Sequence, residues 1–64
     1  MQLTPREREV AGMVALGWSN KVIAYVLGIA EGTVKDRLTD VYRKNGLSNR
    51  TALAVRIYQE RGVA

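Results

Sequence analysis

Apolar positions along the chain recur at helical spacing, and capping residues and glycines break them at regular intervals. Leu3 is followed by Thr4-Pro5-Arg6-Glu7, then by Val10, Met13 and Val14. Thr4 can cap, Pro5 suits the first helical position, and Glu7 stands three residues past the cap, as a capping box requires. This predicts a helix over about 5–16, ended by Gly17, with Trp18 packing over the junction. Ser19 is the next cap. Val22, Ile23, Val26 and Leu27 then form an inward stripe, predicting a helix over about 19–27 that stops at Gly28. A third helix is expected over about 31–44, with Val34, Leu38, Val41 and Tyr42 inward and Asn45-Gly46 as its end. Ser48 is read as the cap of a fourth helix over about 48–61, before Gly62. Leu53, Ala54, Ile57 and Tyr58 lie on its core side, and Ala52 and Val55 are left on a second side for a partner subunit. No segment alternates with period two. The expectation is an all-α, compact four-helix domain over residues 1–64 with short connections.

Within that frame the stretch from Leu27 to Lys35 stands out. Gly28 can take the positive φ that a helix C-terminus needs, Ile29 is apolar inside the turn, and Thr33, Val34 and Lys35 open the next helix. Two helices joined by such a turn form a helix-turn-helix, whose second helix is shaped to enter a DNA major groove. The outer face of that helix carries Gly32, Lys35, Asp36, Thr39, Asp40 and Arg43. Lys35 can donate to guanine O6 or N7, Asp36 can accept from a cytosine amino group, and Thr39 can touch a thymine methyl. The Asp36 carboxylate has alternative readings, as a surface pair or as a group that rejects wrong sequences. Asp40 precedes Arg43 by three and Lys44 by four, the spacing of an intrahelical ion pair. Grip on the DNA backbone is expected from Ser19, Asn20 and Lys21, because free N–H groups at a helix N-terminus attract phosphate. Thr33, Arg43, Lys44, Asn49 and Arg50 complete the expected phosphate set.

Composition narrows the chemistry. The chain has 64 residues, 47% of them hydrophobic, which suits one small folded domain. It has no Cys and no His, so thiol chemistry, disulfides and the commonest general base and metal ligand are missing. Glu7, Glu9, Glu31, Asp36, Asp40 and Glu60 sit among Lys and Arg at helical spacing and read as helix-surface ion pairs. Gly28 and Gly32 lack the preceding strand that a phosphate-cradling loop requires. The sequence therefore reads as a non-enzyme with no cofactor and no metal. Net charge is +4. Residues 21–64 carry eight basic and four acidic side chains, so the excess lies there (8 − 4 = +4), as suits a polyanionic partner. No apolar run approaches the roughly 18 residues of a membrane span, and Arg6 to Glu9 interrupt any signal peptide. The expected location is the cytoplasm, with no membrane partner.

Leu3-Thr4-Pro5-Arg6-Glu7-Arg8-Glu9-Val10, Gly17-Trp18-Ser19-Asn20-Lys21, Leu27-Gly28-Ile29, Gly32-Thr33-Val34-Lys35, Arg43-Lys44 and Leu47-Ser48-Asn49-Arg50-Thr51 together resemble the LuxR-type helix-turn-helix domain of bacterial transcriptional regulators. The resemblance spans essentially the whole chain. It implies a four-helix domain that binds double-stranded DNA through the third helix and forms a homodimer largely through the fourth, where the apolar pattern leaves Ala52 and Val55 for a partner. By position it puts base contacts on Lys35, Asp36 and Thr39. Phosphate contacts fall among Ser19, Asn20, Lys21, Thr33, Arg43, Lys44, Asn49 and Arg50. It also implies a bacterial, nucleoid-associated protein, and in many members an upstream receiver or sensor domain. Two departures stand out: Ala30 replaces the Ser or Thr cap usual before the recognition helix, and Asp36 replaces an uncharged or basic residue. The competing expectation keeps the fold but has this face dock a protein such as RNA polymerase. Salt dependence separates the two, since phosphate-driven binding falls steeply with salt.

Overall fold

A computed structural model describes residues 1–62. Four helices follow one another: α1 (Pro5–Ala15), α2 (Asn20–Leu27), α3 (Glu31–Asn45) and α4 (Arg50–Glu60). Among the described residues there is no strand. The start of α1 is the expected capping box. The Glu7 N–H donates to Thr4 Oγ1 at 3.1 Å, and the Thr4 N–H donates to Glu7 Oε1 at 2.9 Å. Ser19 caps α2, its hydroxyl oxygen accepting from the Val22 N–H at 3.2 Å. The α4 cap is Asn49 rather than Ser48: its Oδ1 accepts from the Ala52 N–H at 2.9 Å, and the helix begins at Arg50. Asn49 adopts the extended backbone of an N-cap, and either residue type can cap, so sequence alone left the choice one residue off.

The two ends that frame α3 use the same device. Gly28 and Gly46 sit in the left-handed region, at φ 68° and 64°. The residue after each donates back into the helix, Ile29 to the Ala24 carbonyl at 3.0 Å and Leu47 to the Tyr42 carbonyl at 2.9 Å. Both following side chains pack against the core, which completes the hydrophobic half of this termination motif.

The core is built from Val10, Ala11, Val14 and Ala15 of α1, Ile23 and Ala24 of α2, Val34, Leu38 and Val41 of α3, and Leu53 and Ile57 of α4. α1 packs on both α3 and α4, and α2 packs chiefly on α3. Two parts of the expected pattern change. Val22 and Val26 point outward, 45% and 51% exposed, and Ala24 is buried in their place. The stripe is turned because α2 meets its neighbours on the side of Ile23, Ala24 and Leu27, which pack into the core. On α4, Tyr58 does not close the core. It is 41% exposed and lies over the end of α1, its hydroxyl donating to the Ala15 carbonyl at 2.9 Å.

Candidate nucleic-acid interface

The buried stripe of α3 fixes which side chains it shows to solvent. Val34, Leu38 and Val41 point to the core, so Gly32, Lys35, Asp36, Thr39, Asp40 and Arg43 are exposed on the other side. The side is not uniformly basic. Arg43 pairs with Asp40 at 3.6 Å, and both side chains are well exposed. Such a pair contributes about 0–1 kcal/mol and opens easily. Lys35 and Asp36 form no ion pair among the described residues. The Thr39 hydroxyl donates to the Lys35 carbonyl at 3.0 Å, one turn back. That occupies its proton on the helix itself.

Helix α3 begins without a side-chain cap. Ala30 has the N-cap backbone, and only its carbonyl serves, accepting from Thr33 at 3.0 Å and Val34 at 3.3 Å. Thr33 is half-buried on the first turn. At the N-terminus of α2, exposed Ser19 and Lys21 flank half-buried Asn20. Lys21 forms no ion pair among the described residues.

Two cations expected to stand free are held by the fold. The Lys44 ammonium donates to Glu7 Oε1 at 2.5 Å, tying the last turn of α3 to the first turn of α1. The helix-surface reading of Glu7 therefore fails: its side chain is 9% exposed. The Lys44 hydrogen bond, with help from the Thr4 N–H, holds the Glu7 carboxyl below its ordinary pKa, and burial opposes this weakly. Lys44, expected among the phosphate contacts, thus has a carboxylate partner within the protein. Arg50 is the second held cation. Its Nη1 donates to Asn20 Oδ1 at 2.6 Å and its Nη2 to the Trp18 carbonyl. Arg50 also lies beside Tyr42, whose hydroxyl pKa is raised by burial while the cation pulls the other way. Asn49 has its side-chain oxygen engaged as the α4 cap.

Thus the fold brings Ser19, Asn20 and Arg50 together, keeps Arg43 on the outer side of α3, and draws Lys44 away to α1. On α4, Val55 is 49% exposed and Ala52 is half-buried, on the side away from Leu53 and Ile57. The sequence reading missed Arg37. It is half-buried on the flank of α3, and its Nε is buried with no hydrogen-bond partner. It also missed the three long-range hydrogen bonds of Lys44 and Arg50, which join residues 37, 30 and 32 positions apart and leave no periodic signal.

The chain matches a known family model over residues 1–57, described as bacterial regulatory proteins, luxR family. The chain belongs to this family. Its members are regulators rather than enzymes. The domain is similar to the nitrate/nitrite response regulator protein NarL of Escherichia coli (strain K12), at 45% identity over 60 residues. That match covers 94% of this chain and 28% of NarL. It is also 45% identical over 62 residues to the transcriptional regulatory protein YdfI of Bacillus subtilis (strain 168), covering 97% of this chain and 29% of YdfI. A third relative is the probable transcriptional regulatory protein SgaR of Hyphomicrobium methylovorum, 48% identical over 56 residues, or 88% of this chain and 26% of SgaR. The chain therefore spans under a third of the length of these relatives. Among the described residues no helix is long and apolar enough to cross a membrane, and no acidic cluster could hold a metal ion.

Proposed function

We propose that this luxR-family domain binds double-stranded DNA in a sequence-dependent way for bacterial transcription regulation, with α3 in the major groove. The observation that carries this is the pairing of two features in one small domain. The exposed side of α3 bears Lys35, Asp36 and Thr39, and the N-terminus of α2 carries exposed Ser19 and Lys21 with half-buried Asn20. The first supplies groups that discriminate base edges, and the second supplies donors and charge for phosphate. Lys35 reads guanine, Asp36 accepts from cytosine or rejects other bases, and the Thr39 methyl meets a thymine methyl. Thr33, Arg43 and Asn49 serve in this reading as secondary phosphate contacts, Arg43 after leaving Asp40.

Two copies bind adjacent half-sites about one helical turn apart, joined along α4 at Ala52 and Val55. This seam is far below the ~1,200 Å² of a stable interface, so assembly occurs on DNA, where neighbouring half-sites raise the effective concentration. A receiver or sensor domain elsewhere in the whole protein, a polymerase contact and location at the bacterial nucleoid complete the proposal. The second reading, a protein-docking module of the same fold, is favoured by Val22, Tyr25 and Val26, which leave apolar surface exposed on α2.

Selection from random-sequence duplexes with this chain tests both readings, because it reports binding, motif and half-site spacing together. Lys21→Ala should weaken binding to all sequences and lower the magnitude of the salt slope by about one. Lys35→Ala should lose roughly 1–3 kcal/mol against the preferred base and relax that position. Weak binding with a flat salt response would favour protein docking instead.

A further inference from the structure

We infer that Arg50 is a positioning residue for DNA binding: it turns the Asn20 side-chain amide so that the NH2 group faces outward as a donor to a phosphate oxygen. The inference rests on the DNA-binding reading above. Arg50 is the first residue of α4 and Asn20 the first of α2, and both are half-buried. A guanidinium has only donors, whereas an asparagine amide has a donor edge and an acceptor edge. With Arg50 Nη1 at 2.6 Å from Asn20 Oδ1, the oxygen is the edge turned toward α4. The nitrogen then has to present its hydrogens on the opposite side. Phosphate oxygens only accept, so this orientation is the one that binds them. The reversed amide would set an oxygen against a phosphate.

The second donor of Arg50 fixes the chain on the other side of the Ser19 cap. Nη2 donates to the carbonyl of Trp18, and Nη1 to the side chain of Asn20, so the guanidinium brackets Ser19. A planar fork reaches two such acceptors at once, and a single ammonium does not. Nη1 and Nη2 are each tied to the protein, and on this inference Arg50 acts on DNA through Asn20 and the α2 N-terminus instead of meeting phosphate itself. Arg50 and the neighbouring Tyr42 are both half-buried, so the guanidinium lies between elements at the edge of the fold. The consequence is that the first turn of α4 and the phosphate-facing turn of α2 move as one piece.

The test measures affinity for a mixed-sequence duplex over a range of salt, with thermal melting as the folding check. Arg50→Met should lower affinity on the order of tenfold, the loss of one charge-assisted hydrogen bond, with an unchanged salt slope. Arg50→Lys, which keeps the charge but not the fork, should not rescue it. In an Asn20→Ala background, Arg50→Met should change affinity less than about threefold, because the two substitutions remove the same contact. Asn20→Asp keeps a partner for Arg50 and should fold, yet should bind DNA at least about tenfold more weakly by setting a carboxylate against phosphate. If Arg50→Met lowers the slope by about one and Arg50→Lys restores binding, Arg50 is a direct phosphate contact and the inference is overturned. It is also overturned if Asn20→Asp binds as the wild type does, and this variant decides the matter should Arg50→Met not fold. Loss of salt-dependent duplex binding in the wild-type chain would overturn the DNA-binding reading itself, an outcome separate from both.

Discussion

Replacing Glu7 by Gln tests how much of this small domain hangs on one buried carboxylate. A single oxygen, Oε1, accepts from Lys44 Nζ at 2.5 Å and from the Thr4 N–H at 2.9 Å. Gln keeps an acceptor for the Thr4 N–H and keeps the shape, so the backbone half of the capping box survives. What it removes is the charge. Hydrogen bonds to charged groups contribute about 1.5–3 kcal/mol each and neutral ones about 0.5–1.5 kcal/mol. Lys44 is 37% exposed and returns to water, so no cation is stranded. The expected loss is therefore about 1–3 kcal/mol in all. For a domain of this size that corresponds to a fall in Tm of roughly 4–8 °C per kcal/mol. The pH response has a definite sign. The Glu7 carboxyl is held below its ordinary value of 4.5, so its contribution is fully present above that pH and is lost as acid protonates the folded carboxylate. Wild type and Glu7→Gln should therefore differ by a constant amount near neutrality, and the gap should close as pH falls below about 4.5. Thermal melts followed by circular dichroism over an acid series measure both effects. Equal Tm values near neutrality, or a gap that persists in strong acid, would refute the reasoning.

Ala30→Ser places a hydroxyl at an exposed N-cap whose backbone, φ −74° and ψ 150°, already suits capping, so it should raise stability by about 0.5–2 kcal/mol in urea denaturation. Gly12→Ala should also stabilise, by about 0.5–1 kcal/mol from helix propensity. The added Cβ meets only the far end of the Arg61 side chain, 3.3 Å away, which can shift; a fall in Tm would show that this contact is rigid. Val55→Glu should keep the circular dichroism spectrum, because Val55 is 49% exposed, and should abolish cooperative binding to a duplex with two half-sites. Cooperative binding that survives with the fold intact would move the dimer seam off this side of α4.

Much of the fold was legible because helix termini are governed by neighbours in sequence. A Thr-Pro-x-Glu box, a Ser before a helix, and a glycine followed by an apolar residue each act within five positions, and α1, α2 and α3 begin and end close to where these signals stand. The outward side of α3 was readable for the same reason: Val34, Leu38 and Val41 are spaced for one stripe, and Lys35, Asp36 and Thr39 fall opposite it. Tertiary structure decided what local spacing leaves open. A helical stripe says that one side of α2 is buried, but the approach of its neighbours determined that Ala24 goes in while Val22 and Val26 stay out. Charge pairing was the least legible part. Glu7 has Arg8 and Arg6 close by in sequence, yet folding carries Lys44 to it from 37 residues away, and carries Arg50 to Asn20 across 30. Ionic side chains take whichever partner packing delivers, and no periodicity records that delivery. The sequence by itself thus determined the four helices and the side of α3 that faces solvent. Which basic residues find a partner within the protein was decided only by the packing of α1 on α3 and the reach of α4 back to α2.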